Sequence, residues 1–93
     1  MYKPNPVDTS EVILDEEILM LAEMLAKNTH EVWAKNRMAE GWSYGKERND
    51  LKKETPCMVE YEQLTETEKA YDRNTALETL KLIIKLGYKI EKN

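Results

Sequence analysis

Residues 15–41 read DEEILMLAEMLAKNTHEVWAKNRMAEG. Asp15 stands where an N-cap belongs, and Glu16 and Glu17 suit the positive end of a helix dipole. Apolar positions then recur at Ile18, Leu21, Ala22, Leu25, Thr29, Val32 and Ala39, a helical period. Met20, Met24 and Trp33 widen the stripe. Neither Pro nor Gly interrupts the run before Gly41, the natural stop. The spacing predicts a helix of about 25 residues, longer than the usual 11–12. Lys27-Asn28-Thr29 sets three poor packers together, and a bend is expected there.

A second helix follows from the last third of the chain. Thr65-Glu66-Thr67-Glu68 is a capping box, and Ala70, Leu77, Leu80, Ile83, Ile84 and Gly87 follow one face. Tyr71-Asp72-Arg73-Asn74-Thr75 reads as a kink or a second start. Gly87 ends the helix, and Tyr88-Lys89-Ile90 reads as a closing extended piece. Pro4 and Pro6 favour extended backbone at the other terminus, so residues 1–13 read as an arm against the fold. Between the helices lie Gly41-Trp42-Ser43-Tyr44-Gly45, a charged run from Lys46 to Lys53, and an extended Thr55–Tyr61 segment. A loop of about 20 residues is usually functional when ordered. The expected fold is mainly α. Two long helices form an antiparallel hairpin, with a long ordered loop and short extended or β segments at the termini.

The chain has 93 residues, one Cys (Cys57) and one His (His30). It reads as a single domain over residues 1–93. A chain of this length buries only about 60–65% of its unfolded surface, so its core is thin. No internal disulfide is available to it, and zinc-ligand spacings are absent. Association with another chain is the remaining remedy. Fourteen basic residues against eighteen acidic give a net charge of −4. This argues against nucleic acid, whose binding rests on clustered Lys and Arg. No apolar run approaches the roughly 20 residues that span a bilayer. The opening Met-Tyr-Lys-Pro-Asn-Pro lacks a signal peptide's apolar stretch, so the expected compartment is the cytoplasm. Phe is absent, while two Trp and five Tyr are present. Aromatics with a polar handle suit surfaces that meet a partner.

Catalytic chemistry finds little support. A nucleophilic thiol at Cys57 needs a base beside it, and only His30 offers an imidazole. His30-Glu31 lacks the second His of a zinc helix, since Ala34 stands there. Gly41 and Gly45 match neither a P-loop nor a dinucleotide fingerprint. No catalytic residue, metal ligand or cofactor is assigned. Helical spacing does set His30, Trp33 and Arg37 on one strip, with Trp42, Tyr44 and Arg48 in the adjoining loop. An aromatic face with cationic neighbours suits a nucleobase stacked above phosphates. The plainer reading puts both Trp in the core and makes the charged loop a solvated face.

Five motifs carry a resemblance. They are Tyr2-Lys3-Pro4-Asn5-Pro6-Val7-Asp8-Thr9, Asn28-Thr29-His30-Glu31-Val32-Trp33-Ala34, Glu40-Gly41-Trp42-Ser43-Tyr44-Gly45, Thr55-Pro56-Cys57-Met58-Val59 and Tyr71-Asp72-Arg73-Asn74-Thr75-Ala76-Leu77-Glu78-Thr79-Leu80-Lys81. In this order they closely resemble the RyR repeat domain, named for ryanodine receptors, from about Tyr2 to Ile90. The resemblance implies a mainly helical repeat. In the receptors, two repeats occur in tandem and pack with approximate twofold symmetry. A stand-alone repeat resembles microbial or viral proteins, for which the resemblance implies sensing of nucleotides or nucleotide-derived signals. The position of Trp33 matches a tryptophan of a nucleotide and small-ligand site between paired repeats. Channel activity and the receptors' phosphorylated loop do not carry over.

The expected protein is therefore a non-enzymatic, cytoplasmic RyR-type module that forms a homodimer. Its expected ligand is a nucleotide-type small molecule held by His30, Trp33, Arg37, Trp42, Tyr44 and Arg48 at a dimer cleft. The alternative is a protein-interaction or scaffold domain without a small ligand.

Overall fold

Helix α1 runs Glu16–Ala39 in a computed structural model that covers residues 1–93. Asp15 caps it, its carboxylate accepting the Ile18 amide at 3.0 Å. At the far end Gly41 adopts φ +95°, a conformation that L side chains rarely take. The Gly41 amide donates to the Met38 carbonyl and the Trp42 amide to the Arg37 carbonyl, each at 3.0 Å. These two bonds form a Schellman turn, which folds the chain back over the last turn of α1. The helix continues through Lys27-Asn28-Thr29.

The side of α1 that is covered differs from the expected stripe. Its buried residues are Ala22, Ala26 and His30, a row four residues apart. Leu25 and Val32 stay exposed. The second helix packs on Ala22, and Tyr61 and Leu64 pack on Ala26, and these contacts decide which row is shut away.

Helix α2 spans Glu66–Lys85. Thr65 Oγ1 accepts the Glu68 amide at 3.2 Å, and the Glu68 carboxylate accepts the Thr65 amide at 2.9 Å, which closes the capping box. The second start expected near Tyr71–Thr75 does not occur. Thr75 Oγ1 donates to the Tyr71 carbonyl at 2.9 Å and satisfies itself inside the helix. Gly87, at φ +96°, and Tyr88 close a second Schellman turn on Ile84 and Ile83.

The core is two small clusters. Leu14, Ala22, Ala76 and Leu80 form one, with Ile18, Leu77, Ile84 and Ile90 packed against it. Ala26, Tyr61 and Leu64 form the other, beside Cys57 and Val59. The arm joins the fold through Thr9, whose buried hydroxyl donates to Glu78 at 3.0 Å, and through Lys85, which donates to the Asp8 carbonyl.

The β structure lies in the loop and not at the termini. Strand β1 (Ser43–Tyr44) pairs in parallel with β2 (Glu54–Thr55), Ser43 opposite Glu54 and Tyr44 opposite Thr55. An antiparallel bridge joins Asn49 to Glu54, so the chain doubles back between the strands. Residues 1–13 and 88–93 form no strand. A strand needs a partner backbone, and Pro4 and Pro6 have no amide to offer one. Of the extended segment expected over Thr55–Tyr61, only Thr55 belongs to a strand, and Tyr61–Gln63 is a short 3₁₀ turn. The protein is thus mainly helical, with two helices and a small two-stranded parallel sheet.

Candidate ligand site

The Schellman turn at Gly41 governs the chemistry at this end of the molecule. It sets the half-buried Trp42 indole beside the last turn of α1, where the Arg37 guanidinium lies over it at 5.5 Å. Across the loop, the Arg48 guanidinium lies over the same ring at 5.4 Å. Each contact is a cation–π pair of about 0.5–1 kcal/mol where solvent reaches it.

Local geometry aims both arginines. Arg37 pairs with Glu40 one turn on, at 3.4 Å. Arg48 donates Nε to Asp50 at 2.8 Å. Asp50 opens a tight turn: the Lys52 amide donates to Asn49 Oδ1 at 3.0 Å, and Lys53 takes φ 55°. Lys53 Nζ then donates to the Glu40 carbonyl at 2.7 Å, at the negative end of α1. Both arginine ion pairs are solvent-exposed, so each holds its geometry weakly, by about 0–1 kcal/mol.

His30 and Trp33 form a separate group. Their rings stack with centroids 5.5 Å apart and 24° between planes. His30 is only 4% exposed, and its Nε2 sits 2.7 Å from the Val59 carbonyl. A carbonyl only accepts, so Nε2 carries the proton. The imidazole therefore ties α1 to the loop and is not a surface group. The Tyr61 ring tilts against the His30 ring, with centroids 6.2 Å apart and 52° between planes. Trp33 is half-buried, and Tyr44 stands exposed on β1.

The six expected residues thus divide. Arg37, Trp42 and Arg48 come together, His30 and Trp33 stack beneath the loop, and Tyr44 lies on the strand that follows Trp42. Helical spacing sets Trp33 one turn before Arg37, but the guanidinium lies over Trp42 instead, which a turn beyond the helix brings to it. Glu40, Asp50 and Lys53 were not singled out. The Arg37–Glu40 spacing of three residues was a signal for the first, whereas the others depend on the loop's path.

Cys57 is no activated nucleophile. Its thiol donates to the Glu68 carboxylate at 2.6 Å, and burial, with that carboxylate, pushes the thiol's pKa up. Accepting that bond and the Thr65 amide holds Glu68 below the usual carboxylate range. No helix is long and apolar enough to cross a membrane.

The fold is thus two helices and a small sheet, with a cation–π cluster at the surface beside the end of α1. A family model for the RyR domain matches residues 2–92, and the chain belongs to the RyR domain family as a single repeat. This is a non-catalytic repeat family, and membership supports an interaction module.

Proposed function

We propose that this module binds a nucleotide or nucleotide-derived ligand at Arg37, Trp42 and Arg48. The observation that carries the proposal is the pair of guanidinium groups held over one half-buried indole by weak, exposed ion pairs. An indole face offers a planar platform, and stacking a base on it contributes about 1–3 kcal/mol. Guanidinium forks match phosphate oxygens two at a time. Phosphate then takes the place of Glu40 and Asp50. The net charge of −4 disfavours a long polyanion and tolerates one small anionic ligand. Trp33, stacked on His30, steadies the helix end that presents Arg37.

We read the two helices as an antiparallel hairpin with this site at one end. Ala22 packs on Ala76 and Leu80, whereas Ala26, further along α1, packs on Leu64 ahead of α2. The setting is the cytoplasm, where a lone thiol stays reduced.

Titration with ATP, with inorganic phosphate as control, tests the reading. ATP is expected to quench Trp fluorescence and to shift backbone amide resonances of residues 37–50, with inorganic phosphate at least about tenfold weaker. Arg37→Gln with Arg48→Gln should weaken ATP at least about tenfold and leave the melting temperature nearly unchanged. A module that binds only protein predicts no response to millimolar ATP, and that result would overturn the reading.

A further inference from the structure

The start of α1 carries charge of one sign. Between Glu11 and Ala26 stand five acidic residues, Glu11, Asp15, Glu16, Glu17 and Glu23, and no basic one. Glu23 is paired with Arg73. The other four take part in no ion pair within the chain. Unpaired carboxylates at a surface are ordinary, but these stand beside an uncovered apolar groove.

Glu17, Met20, Leu21 and Met24 follow the spacing i, i+3, i+4, i+7, so they share one face of α1. Ile18 and Leu21 lean on the core cluster and are half-buried. Met20 and Met24 stay 70% and 71% exposed. The chain beyond α2 returns past this face, and Ile90 packs against the same core cluster. Between the returning segment and α1 lies an open groove of about 1040 Å³, with Ile18, Met20, Leu21, Met24 and Ile90 as its apolar surface. Asp15 and Glu17 stand along it on the α1 side, Glu91 and Lys92 on the other.

These features select an occupant. Methionine side chains are flexible and polarisable, so they shape themselves to irregular apolar groups. Carboxylates on both walls, against the single ammonium of Lys92, make the lining negative. Like charge opposes nucleic acid and an anionic lipid surface here. It also opposes a second copy through this face, since that copy brings the same carboxylates and a net charge of −4. From Glu17 to Met24 the face runs about 10 Å, two helical turns. An amphipathic helix laid in a groove covers that length with anchors at i, i+3 or i+4, and i+7.

We propose that this groove receives a basic amphipathic helix of a partner protein. Its apolar side chains enter between Met20, Met24 and Ile90, and its Lys or Arg side chains meet Glu17 and Glu91. The apolar anchors supply affinity, and the acidic rim supplies on-rate and the choice of a basic partner. The proposal does not depend on the nucleotide reading. Arg37 lies about 30 Å along α1 from Glu17, and the two sites share no residue.

Titration of the isotope-labelled full chain with a synthetic peptide tests this. The probe is about 14 residues long, with leucines on one helical face at i, i+3 and i+7 and lysines on the others. It is expected to saturate with a dissociation constant below about 100 µM in about 0.05 M salt. The backbone amides that shift are expected within residues 15–24 and 90–93. A peptide of the same composition with its leucines scattered round the helix should bind at least about tenfold more weakly, and one with Glu for Lys should not bind. Met20→Ser with Met24→Ser, and separately Glu17→Lys with Glu91→Lys, should each weaken the first peptide at least about tenfold, with the helical circular dichroism retained. Absence of saturation, equal binding of the scattered peptide, binding of the acidic one, shifts confined to other residues, or a folded variant that binds as wild type overturns the proposal. So do shifts of these amides with protein concentration alone, which would seat a second copy in the groove. The peptide comparisons decide the question even if a variant fails to fold. ATP is absent throughout, so failure here leaves the nucleotide reading standing.

Discussion

Glu23 joins three elements through one carboxylate. Arg73 of α2 donates Nε to Oε2 at 2.6 Å and Nη2 to Oε1 at 3.0 Å, a two-point fork. The Tyr61 hydroxyl donates to Oε1 at 3.0 Å. The Arg73 bonds, with help from Tyr61, hold the Glu23 carboxyl below its ordinary value of about 4.5. A carboxyl that titrates lower when folded contributes stability above the unfolded value. That stability is lost as pH falls through the folded value. Asp72 works in the opposite sense, since burial raises its pKa. Glu23→Gln should therefore cost about 0.5–1 kcal/mol at neutral pH, because the pair is partly exposed. The difference from wild type should shrink as pH drops below about 4.5. Urea unfolding at a series of pH values checks this, and a difference independent of pH would refute it. None of this was legible beforehand: Glu23, Tyr61 and Arg73 are far apart along the chain, and no local pattern links them.

At the scale of elements, the caps were legible and the strands were not. Asp15, the Thr65–Glu68 box, Gly41 and Gly87 act through hydrogen bonds between near neighbours, so residue type and spacing suffice. The β1–β2 pair depends on Gly45, which nothing local marked as special beyond a turn. A Cβ there would come within 2.7 Å of Glu54 Cβ, too close for a real contact. Gly45→Ala should destabilise the chain by about 1–3 kcal/mol and weaken ATP binding, because this loop aims Arg48. Gly87→Ala meets open space and bears only its backbone strain, about 1–2 kcal/mol, with no effect on ATP. Thermal melts and ATP titrations of the two variants separate the effects. Equal loss of ATP response in both would show that the loop does not position the site.

As a whole the molecule is a flat body of 45 × 41 × 23 Å. A body this thin has a small core, and pairing with a second copy, the expectation from the sequence, would cover more of its surface. If folding and pairing are linked, the melting temperature depends on concentration. A tenfold rise in protein adds about 1.4 kcal/mol to the dimer, which should raise the melting temperature by a few degrees. A wild-type melting temperature unchanged over two decades of concentration would count against linked folding.

By itself the sequence determined two capped helices, their ends, a long loop between them and the repeat family. Each rests on contacts between residues three or four apart, or on motifs read in order. Tertiary structure decided the rest. Packing of α2 on Ala22, and of Tyr61 and Leu64 on Ala26, left Leu25 and Val32 outside. The turn at Gly41 gave Arg37 the Trp42 indole, and the loop's return brought Arg48 to the same ring. Periodicity says that a helix has an apolar side, but the shape of what packs against it selects the row that is buried.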